Sequence, residues 1–265
     1  MVLPDPGWTD RAISARGPVF WTHHPSPLRR NRDDEFPGTA REQGRRRHRS
    51  VQRDRRSGRA AARRLRCGGT ALVLAADVAD AEAMRAAAAE VEAKLGRADL
   101  LFNNAGVMLA APIDELATGD WQRMIDVNMT GLMNAIGAFV PHLVASAAEK
   151  GVADLVNTSS IGAQAVFPSF AVYVASKAYV THLSKNLRAD LGPKGVRVAA
   201  IEPGLVETEL QGHVTDAGAL EWLDGARETL TWLKPEDIAE TVAFLTSLPA
   251  RVNLQQVTVM PTAQV

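Results

Sequence analysis

Cysteine is almost absent from this chain. Cys67 is the only one in 265 residues, so neither an internal disulfide nor a cysteine-rich metal cluster is expected. No uninterrupted apolar run reaches the roughly 18 residues of a membrane span, and residues 1–30 contain no apolar stretch of the kind found in secretory signals. These absences disfavour a membrane protein and a secreted disulfide scaffold, and we expect a soluble, cytoplasmic protein without a bound metal.

Lysine is missing from the first 66 residues, although they contain 17 arginines and seven acidic residues. Residues 67–265 instead carry 13 basic and 23 acidic residues. Within residues 1–58 we find no strand of four or more alternating or continuous apolar residues, and no helix face. The composition predicts a disordered segment or an arginine-rich arm. Nucleic acid is disfavoured as a partner because lysine and any DNA- or RNA-binding motif are missing.

From residue 59 onward, strand-like and helix-like segments alternate. Such alternation predicts one α/β domain over 59–265, a Rossmann-like, doubly wound parallel sheet with helices on both faces. Asp80 is the expected N-cap of an alanine-rich helix that stops at Gly96, and Thr118 the expected cap of the next helix. The predicted strands lie at 70–78, 99–102, 154–159, 196–204 and 255–261, and the predicted helices at 80–95, 119–148, 170–191 and 235–247.

The segment 156–177, VNTSSIGAQAVFPSFAVYVASK, contains residues suited to proton transfer. A helix from residue 170 would place Tyr173 and Lys177 one turn apart on one face, with Ser160 held against that face by the preceding strand. A tyrosine has a pKa near 10, and an ammonium within about 4–6 Å lowers it. Such a phenol can exchange a proton with a substrate oxygen that a serine hydroxyl holds in place. This predicts chemistry at an alcohol or carbonyl, with a redox cofactor to carry the hydride.

Small or polar residues also follow the other predicted strands. Asp77-Val78, Asn103–Gly106 and Pro203-Gly204 all fall at strand ends, where parallel sheets bind ligands. Small residues let a flat ligand approach the backbone closely. Any one of these sites could be simple turn chemistry, and a Tyr-x-x-x-Lys spacing occurs by chance in many helices. Together with Ser160, they occur at four successive strand ends, which favours a binding edge.

Together these motifs resemble those of the short-chain dehydrogenase/reductase family. The resemblance covers about residues 60–265, roughly three quarters of the chain. Each motif is weak alone, whereas the set in this order is specific. The set comprises NNAG at 103–106, Asn128 in DVNMTG, the Ser160–Tyr173–Lys177 spacing and PGLVET at 203–208.

The resemblance implies catalytic roles for four residues. Tyr173 would be the acid/base, and Lys177 would lower its pKa and bind the nicotinamide ribose. Ser160 would orient the substrate oxygen. Asn128 would hold a water in a proton relay to Lys177, although it could also simply cap a kink in its helix.

The resemblance further implies NAD or NADP as the cofactor, with NADP slightly favoured. Asp77 and Val78 would contact the adenine, and Val206 and Thr208 the nicotinamide carboxamide. An Asx-turn at Asp77 and turn chemistry at Thr208 are the alternatives. The remaining cofactor contacts would come from Asn103, Asn104, Ala105, Gly106, Pro203 and Gly204, together with Tyr173 and Lys177.

The C-terminal half is similar to members that reduce small aldehydes and ketones or oxidise 3-hydroxy acids. The expected function is therefore an NAD(P)-dependent oxidoreductase that interconverts an alcohol and a carbonyl in a small-molecule substrate. Residues 207–234 would form a substrate lid, which Trp222 and Trp232 would either line or pack against the body. The family's usual interface implies a homodimer or homotetramer through helices 119–148 and 170–191.

The glycine-rich turn TGxxxGxG, with which the family begins, is missing. That turn cradles the cofactor pyrophosphate at a helix N-terminus. Between Gly7 and Gly58 the only glycines are Gly17, Gly38 and Gly44, and none lies between a strand and a helix. We hypothesise that residues 1–58 are a reading-frame error in a GC-rich gene, which would yield arginine and proline but little lysine. The alternative is a non-catalytic relative that acts through dimerisation and has no working cofactor site.

Overall fold

The computed structural model describes residues 18–22 and 71–264. Their α-helices and strands follow the alternation that the sequence predicts, with shifts of one or two residues at most ends. In chain order they are β1 (Pro18–Thr22), β2 (Ala71–Ala75), α1 (Ala81–Leu95), β3 (Leu100–Asn103), α2 (Thr118–Ile125), α3 (Leu132–Lys150), β4 (Ala153–Thr158), α4 (Ala171–Leu191), β5 (Val196–Pro203), α5 (Ala217–Thr229), α6 (Pro235–Ser247) and β6 (Gln256–Val259).

Strands β3 to β6 form a four-stranded parallel sheet in the order β3-β4-β5-β6. Leu101 pairs with Leu155, and Val156 with Ala199. Seven of the eight residues of β5 are buried, as expected for a central parallel strand that is covered on both faces. This sheet confirms the predicted parallel α/β fold.

Strand β1 was not predicted. The expectation that residues 1–58 contain no strand is wrong for Pro18–Thr22, which pairs antiparallel with β2 as a separate two-stranded sheet. Its apolar run, VFW, is shorter than the four residues sought, and the proline is tolerated because it begins the strand. Strand β2 therefore departs from the expected parallel pairing. The rest of residues 1–58 and the predicted boundary at residue 59 lie outside the described residues.

Helix α1 begins and ends where the sequence predicts. The Asp80 carboxylate accepts hydrogen bonds from the backbone N–H groups of Glu82 and Ala83, at 2.8 and 3.1 Å. These bonds satisfy two of the N–H groups that lack a partner within the helix. Gly96 ends the helix with a φ of 85°, a conformation that glycine adopts without strain.

The predicted helix 119–148 is interrupted. A wider π-helical turn, Asp126–Gly131, separates α2 from α3. The predicted cap is also wrong, because Thr118 is the first helical residue and Ala117 precedes it without a side-chain cap bond. Residues 118–150 have the length and composition of a membrane span, but half of the most apolar window is buried within the protein. Phe139 and Leu143 of this helix are fully buried, as in the core helix of an α/β domain.

Both faces of the parallel sheet are covered by helices. On one face, Leu155 and Val198 pack with Met84 of α1 and Phe139 of α3. On the other face, Val156 and Ile201 pack with three residues of α6, Ile238, Val242 and Leu245. Neighbouring residues of β4 thus point to opposite layers, as strand geometry requires. The two layers leave the carboxyl ends of the strands free to carry the site.

Candidate active site

Helix α4 carries Tyr173 and Lys177 on its buried face. Both side chains are buried, with 8% and 6% of their surface exposed. The Lys177 ammonium lies 5.8 Å from the centroid of the Tyr173 ring. It donates a hydrogen bond of 3.0 Å to the carbonyl of Thr158, the last residue of β4. The i, i+4 spacing therefore brings the phenol and the ammonium together at the end of a strand.

Ser160 follows β4 and faces the same point. Its hydroxyl is close enough to the Tyr173 phenol to oppose the rise of the phenol's pKa, and it accepts a bond of 3.0 Å from the Gly162 N–H. Ser160 is in extended conformation and caps the short turn that follows. The structure thus brings together the three side chains that the sequence singled out for proton transfer.

Burial has the largest effect on the pKa values of Tyr173 and Lys177. It raises the pKa of Tyr173 to about 12, although the hydrogen bond with Ser160 works in the opposite direction. Burial also lowers the pKa of Lys177 to about 8. The expected lowering of the Tyr173 pKa is therefore wrong for this structure, because removal of the phenolate from water outweighs the neighbouring groups. At neutral pH the phenol is protonated and the ammonium is mostly charged.

Asn128 lies in the π-helical turn and is buried. Its amide exchanges two hydrogen bonds with the backbone of Val107, at 2.8 and 2.9 Å, and donates a third to the Ser176 hydroxyl at 3.1 Å. A Cβ atom added at Gly106 would lie 3.4 Å from the Asn128 Oδ1 and 3.5 Å from the Lys177 Nζ. Asn128 and Lys177 therefore border one small space beside Gly106, and the water relay stays a prediction.

The end of β3 is tied to the end of β4 through side chains. The Asn103 amide donates to the Asn157 side chain at 2.9 Å, and the Thr158 hydroxyl donates to the Asn104 side chain at 3.0 Å. Asn104 and Ala105 are exposed. These residues leave an open, small-residue surface next to Gly106, which fits the close approach of a flat ring or ribose.

Asp77 and Val78 lie in the turn before α1. The Asp77 carboxylate is exposed and accepts a bond of 3.0 Å from the Ala79 N–H, which is the Asx-turn that the sequence left open. The Val78 carbonyl accepts a bond of 3.0 Å from the Asn134 amide of α3. A cofactor role for this pair stays a prediction.

The segment after β5 contains a capped turn at Thr208 and a glycine, Gly204, that packs closely against the C-terminal residues. Thr208 caps the turn Glu209–His213, accepting a bond of 3.3 Å from the Leu210 N–H, which was the alternative considered for it. Val206 is buried and forms a parallel bridge with Leu233. A Cβ atom at Gly204, which directly follows Pro203, would lie 2.5 Å from the Gln264 Oε1. A side chain at this position would therefore displace the C-terminal segment.

A cavity of about 830 Å³ adjoins the serine end of the site. Trp222, 44% exposed, lines it together with Phe167 and Ile161, the residue after Ser160. Trp232 is buried instead and stacks against Arg227, whose guanidinium lies 4.9 Å from the ring centroid. Of the two tryptophans, Trp222 lines the cavity and Trp232 packs α5.

Sequence reasoning missed several polar residues that support the site. Asn157 donates a bond of 2.9 Å to the Ser184 hydroxyl, and Ser176 receives the Asn128 amide. Glu202 is fully buried within β5. A carboxylate in a strand whose only other charged residue is Arg197 was a signal that could have identified it. The described residues contain no group of three His, Cys, Asp or Glu side chains that could hold a metal ion.

Comparison with known proteins decides the family. A sequence model of the family described as "Enoyl-(Acyl carrier protein) reductase" matches residues 39–259. The chain belongs to the short-chain dehydrogenase/reductase family. The match begins about twenty residues earlier than the motifs alone indicated. It confirms the predicted class of enzyme, an oxidoreductase of the short-chain dehydrogenase/reductase type.

Individual members of the family are similar over most of their length. Sulfoacetaldehyde reductase 2 of Chromohalobacter salexigens is 39% identical over 71% of this chain and 73% of its own. The NADP-dependent 3-hydroxy acid dehydrogenase YdfG of Salmonella typhi is 35% identical over 82% and 86%. The closed form of a serine dehydrogenase complexed with NADP+ matches with a TM-score of 0.65 and 34% identity, over 72% of this chain and 75% of that one.

Proposed function

We propose that this short-chain dehydrogenase/reductase interconverts an alcohol and a carbonyl in a small substrate, with NADP or NAD as the hydride carrier. The observation that supports this most directly is the convergence of Tyr173, Ser160 and Lys177 at the carboxyl edge of the parallel sheet. Relatives that reduce sulfoacetaldehyde or oxidise 3-hydroxy acids carry out this class of reaction.

The nicotinamide, when bound, supplies or accepts the hydride. In the reduction, the protonated Tyr173 phenol donates its proton to the carbonyl oxygen as that oxygen gains negative charge. The Ser160 hydroxyl holds the same oxygen by a hydrogen bond. In the oxidation, the proton returns to Tyr173. A protonated phenol at neutral pH suits the reducing direction.

Lys177 has two functions in this proposal. Its ammonium uses one N–H for the Thr158 carbonyl, which leaves two donors for the hydroxyl groups of a ribose. Its positive charge favours the loss of the Tyr173 proton during turnover. Asn128 borders the same space and would hold the water that returns protons to Lys177.

NADP is the favoured cofactor, because the serine dehydrogenase neighbour is complexed with NADP+ and the 3-hydroxy acid dehydrogenase is NADP-dependent. The open surface at Asn104–Gly106 and the free donors of Lys177 fit its nicotinamide riboside half. Asp77 and Val78 would contact the adenine. Pro203, Gly204, Val206 and Thr208 would border the carboxamide.

The relatives support the substrate class, and the cavity lined by Ile161, the residue after Ser160, offers space for a substrate. We propose small aldehydes, ketones and 3-hydroxy acids, which enter under the segment 207–234. We also propose a cytoplasmic homodimer or homotetramer that assembles through residues 119–148, which include most of α2 and of α3, and through residues 170–191, which include α4.

Steady-state kinetics of Tyr173→Phe tests this function. The full chain is assayed for NADPH and NADH oxidation with sulfoacetaldehyde and small aldehydes, and for the reverse reaction with serine and 3-hydroxy acids. Loss of the phenolic proton should lower kcat by roughly 10²-fold or more. Tyr179→Phe, on the same helix, is the matched control and should retain full activity. Equal activity of the two variants would contradict the proposed role.

The missing glycine-rich turn favours a second candidate, a non-catalytic relative that acts through dimerisation. The turn supplies the N–H groups that hold the pyrophosphate, so a chain without it would bind the cofactor weakly. Titration of NADPH fluorescence with the purified chain separates the two candidates. A saturable change supports the oxidoreductase, and its absence at millimolar protein supports the non-catalytic relative.

A further inference from the structure

Glu202 carries a carboxylate that is fully buried in β5. Within the described residues, no lysine, arginine or histidine forms an ion pair with it. Instead, Gln164 donates to Oε2 at 2.6 Å, Thr181 to Oε1 at 2.8 Å, and Gln256 to both oxygens at 3.0 Å. Thr258 adds a weaker bond of 3.3 Å. A buried charge is tolerated when its hydrogen-bonding capacity is filled in this way.

The donors come from separate parts of the fold. Gln164 lies in the loop between Ser160 and Tyr173, Gln256 and Thr258 lie in β6, and Thr181 lies in α4, one turn beyond Lys177. A single carboxylate thus joins the catalytic helix, the serine loop and the edge of the sheet. Apolar packing alone would leave these segments free to shift along one another.

A chain of hydrogen-bonding groups joins Ser159 to Glu202. The Thr181 hydroxyl donates to Glu202 Oε1 at 2.8 Å and lies 2.7 Å from the Ser159 hydroxyl, a contact in which either oxygen can be the donor. The Ser159 hydroxyl donates to the Lys177 carbonyl at 2.9 Å, and the Ser159 N–H donates to the Ile201 carbonyl at 2.7 Å.

We propose that Glu202 is a positioning residue for the reaction, a role that rests on the proposed function. Through Thr181 and Ser159 its carboxyl group positions the backbone at Lys177 and Ser160. Through Gln164 it fixes the loop that joins Ser160 to α4. No hydrogen bond joins Glu202 to the Tyr173 or Lys177 side chain, and Glu202 also lines the cavity near Ser160, so it acts on Tyr173 and Lys177 through the residues it holds.

Glu202→Gln tests the proposal with little change in volume. An amide has one oxygen that accepts and one NH2 group that only donates, so it cannot accept on both sides, from Gln164 at one atom and from Thr181 and Gln256 at the other. We expect kcat to fall about tenfold, since small displacements of positioned groups cost rate, while KM changes less than threefold. Glu240→Gln, an exposed residue of α6, is the control and should leave kcat unchanged. All assays are made at a temperature where far-ultraviolet circular dichroism shows the folded protein.

Exchanging the carboxylate and the amide between residues 164 and 202 distinguishes a positioning role of Glu202 from a general effect on stability. In the double variant Gln164→Glu, Glu202→Gln, the amide at 202 can again accept from Thr181 and donate to a carboxylate at 164. We expect kcat to recover to within about threefold of the original chain, because the exchange restores the hydrogen bond between residues 164 and 202. A kcat of Glu202→Gln equal to that of Glu240→Gln, or no recovery in the double variant, overturns the proposal.

Hydrogen exchange followed by mass spectrometry keeps this test separate from the activity. Glu202→Gln should raise the exchange rates of peptides that cover 158–170 and the first turns of α4, and leave α1 unchanged. If the original chain shows no turnover with any substrate, the proposed function fails. The exchange data then decide the positioning role, and unchanged exchange in those peptides overturns it.

Discussion

At the scale of single residues, Gly106 lies where the catalytic groups meet. Its Cβ position lies 3.4 Å from Asn128 and 3.5 Å from Lys177, which are ordinary contact distances. A methyl group there fits the fold but occupies the space beside the ammonium.

Gly106→Ala should therefore impair binding more than folding. We expect the midpoint of thermal unfolding to stay within about 3 °C, in line with a change below about 1 kcal/mol, and the affinity for NADPH to fall about tenfold, or about 1.4 kcal/mol. Fluorescence titration measures the affinity. Gly137→Ala, in α3 with no atom near its Cβ position, is the control, and equal affinities of the two variants would contradict the expectation.

The lowered pKa of Lys177 also predicts how the free energy of unfolding changes with pH. Its pKa is lowered by burial to about 8 in the folded chain, so above that pH the unfolded chain binds more protons at this residue. The free energy of unfolding should therefore rise with pH from about 8 towards 10, by at most about 1.4 kcal/mol per pH unit. Above pH 10 the raised pKa of Tyr173 acts in the opposite direction.

Urea unfolding between pH 7.5 and 9.5 measures this slope. Lys177→Met removes the titrating group and should flatten the curve relative to the original chain. Lys194→Met, at an exposed position, should leave the slope unchanged. A curve for Lys177→Met that parallels the original would show that Lys177 titrates normally.

At the scale of secondary-structure elements, Arg197 joins β5 to the end of α6. Its guanidinium pairs with the Asp154 carboxylate of β4 at 2.7 Å, with both side chains nearly buried. It also donates to the carbonyls of Leu248 at 2.8 Å and Thr246 at 3.1 Å. These carbonyls end α6 and have no partner within the helix. Burial raises the pKa of Asp154, although the bonds and charge of Arg197 work in the opposite direction.

Arg197→Met should destabilise the fold strongly. It leaves a buried carboxylate and several carbonyls without donors, and removal of one partner of a buried pair costs about 3–5 kcal/mol. Urea denaturation measures the free energy of unfolding. Arg251→Met, at an exposed position, should change it by less than about 0.5 kcal/mol. A loss below about 1 kcal/mol for Arg197→Met would show that water replaces the guanidinium.

At the scale of the whole molecule, residues 1–58 have an arginine-rich sequence where the family's glycine-rich turn is expected. We propose that this segment is translated in the wrong frame, although the family match reaches back to residue 39. The DNA upstream of codon 59 should then encode a strand, a TGxxxGxG turn and a helix in one of the other two frames. Absence of that turn from both frames would eliminate the proposal.

A chimera tests the consequence for binding. Residues 1–58 are replaced by the corresponding N-terminal segment of sulfoacetaldehyde reductase 2. The added N–H groups and helix N-terminus should hold the pyrophosphate, and we expect the affinity for NADPH to rise at least tenfold, or about 1.4 kcal/mol. The same chimera with each glycine of the turn changed to valine is the control. Equal affinity of the two chimeras would show that the turn contributes nothing.

The sequence by itself determined the layered architecture, because periodicity and caps act locally. Asp80 and Gly96 marked the ends of α1, and near-continuous apolar runs marked the buried strands. It also gave the spacing that brings Tyr173 to Lys177, since residues four apart on a helix share a face. Strand β1 was not predicted because its three apolar residues form a pattern too short to recognise. Its pairing with β2 is also a contact between residues distant in the sequence, which local patterns do not reveal.

Only the tertiary structure decided the electrostatics and the supporting contacts. Whether the pKa of Tyr173 is raised or lowered depends on the balance between burial and nearby charges. Burial is a property of the packed molecule. The π-helical turn that aims Asn128 at Val107, and the donors around Glu202, join residues 21 to 56 positions apart. No local pattern encodes such pairs, because each partner is an ordinary polar residue until folding removes it from water.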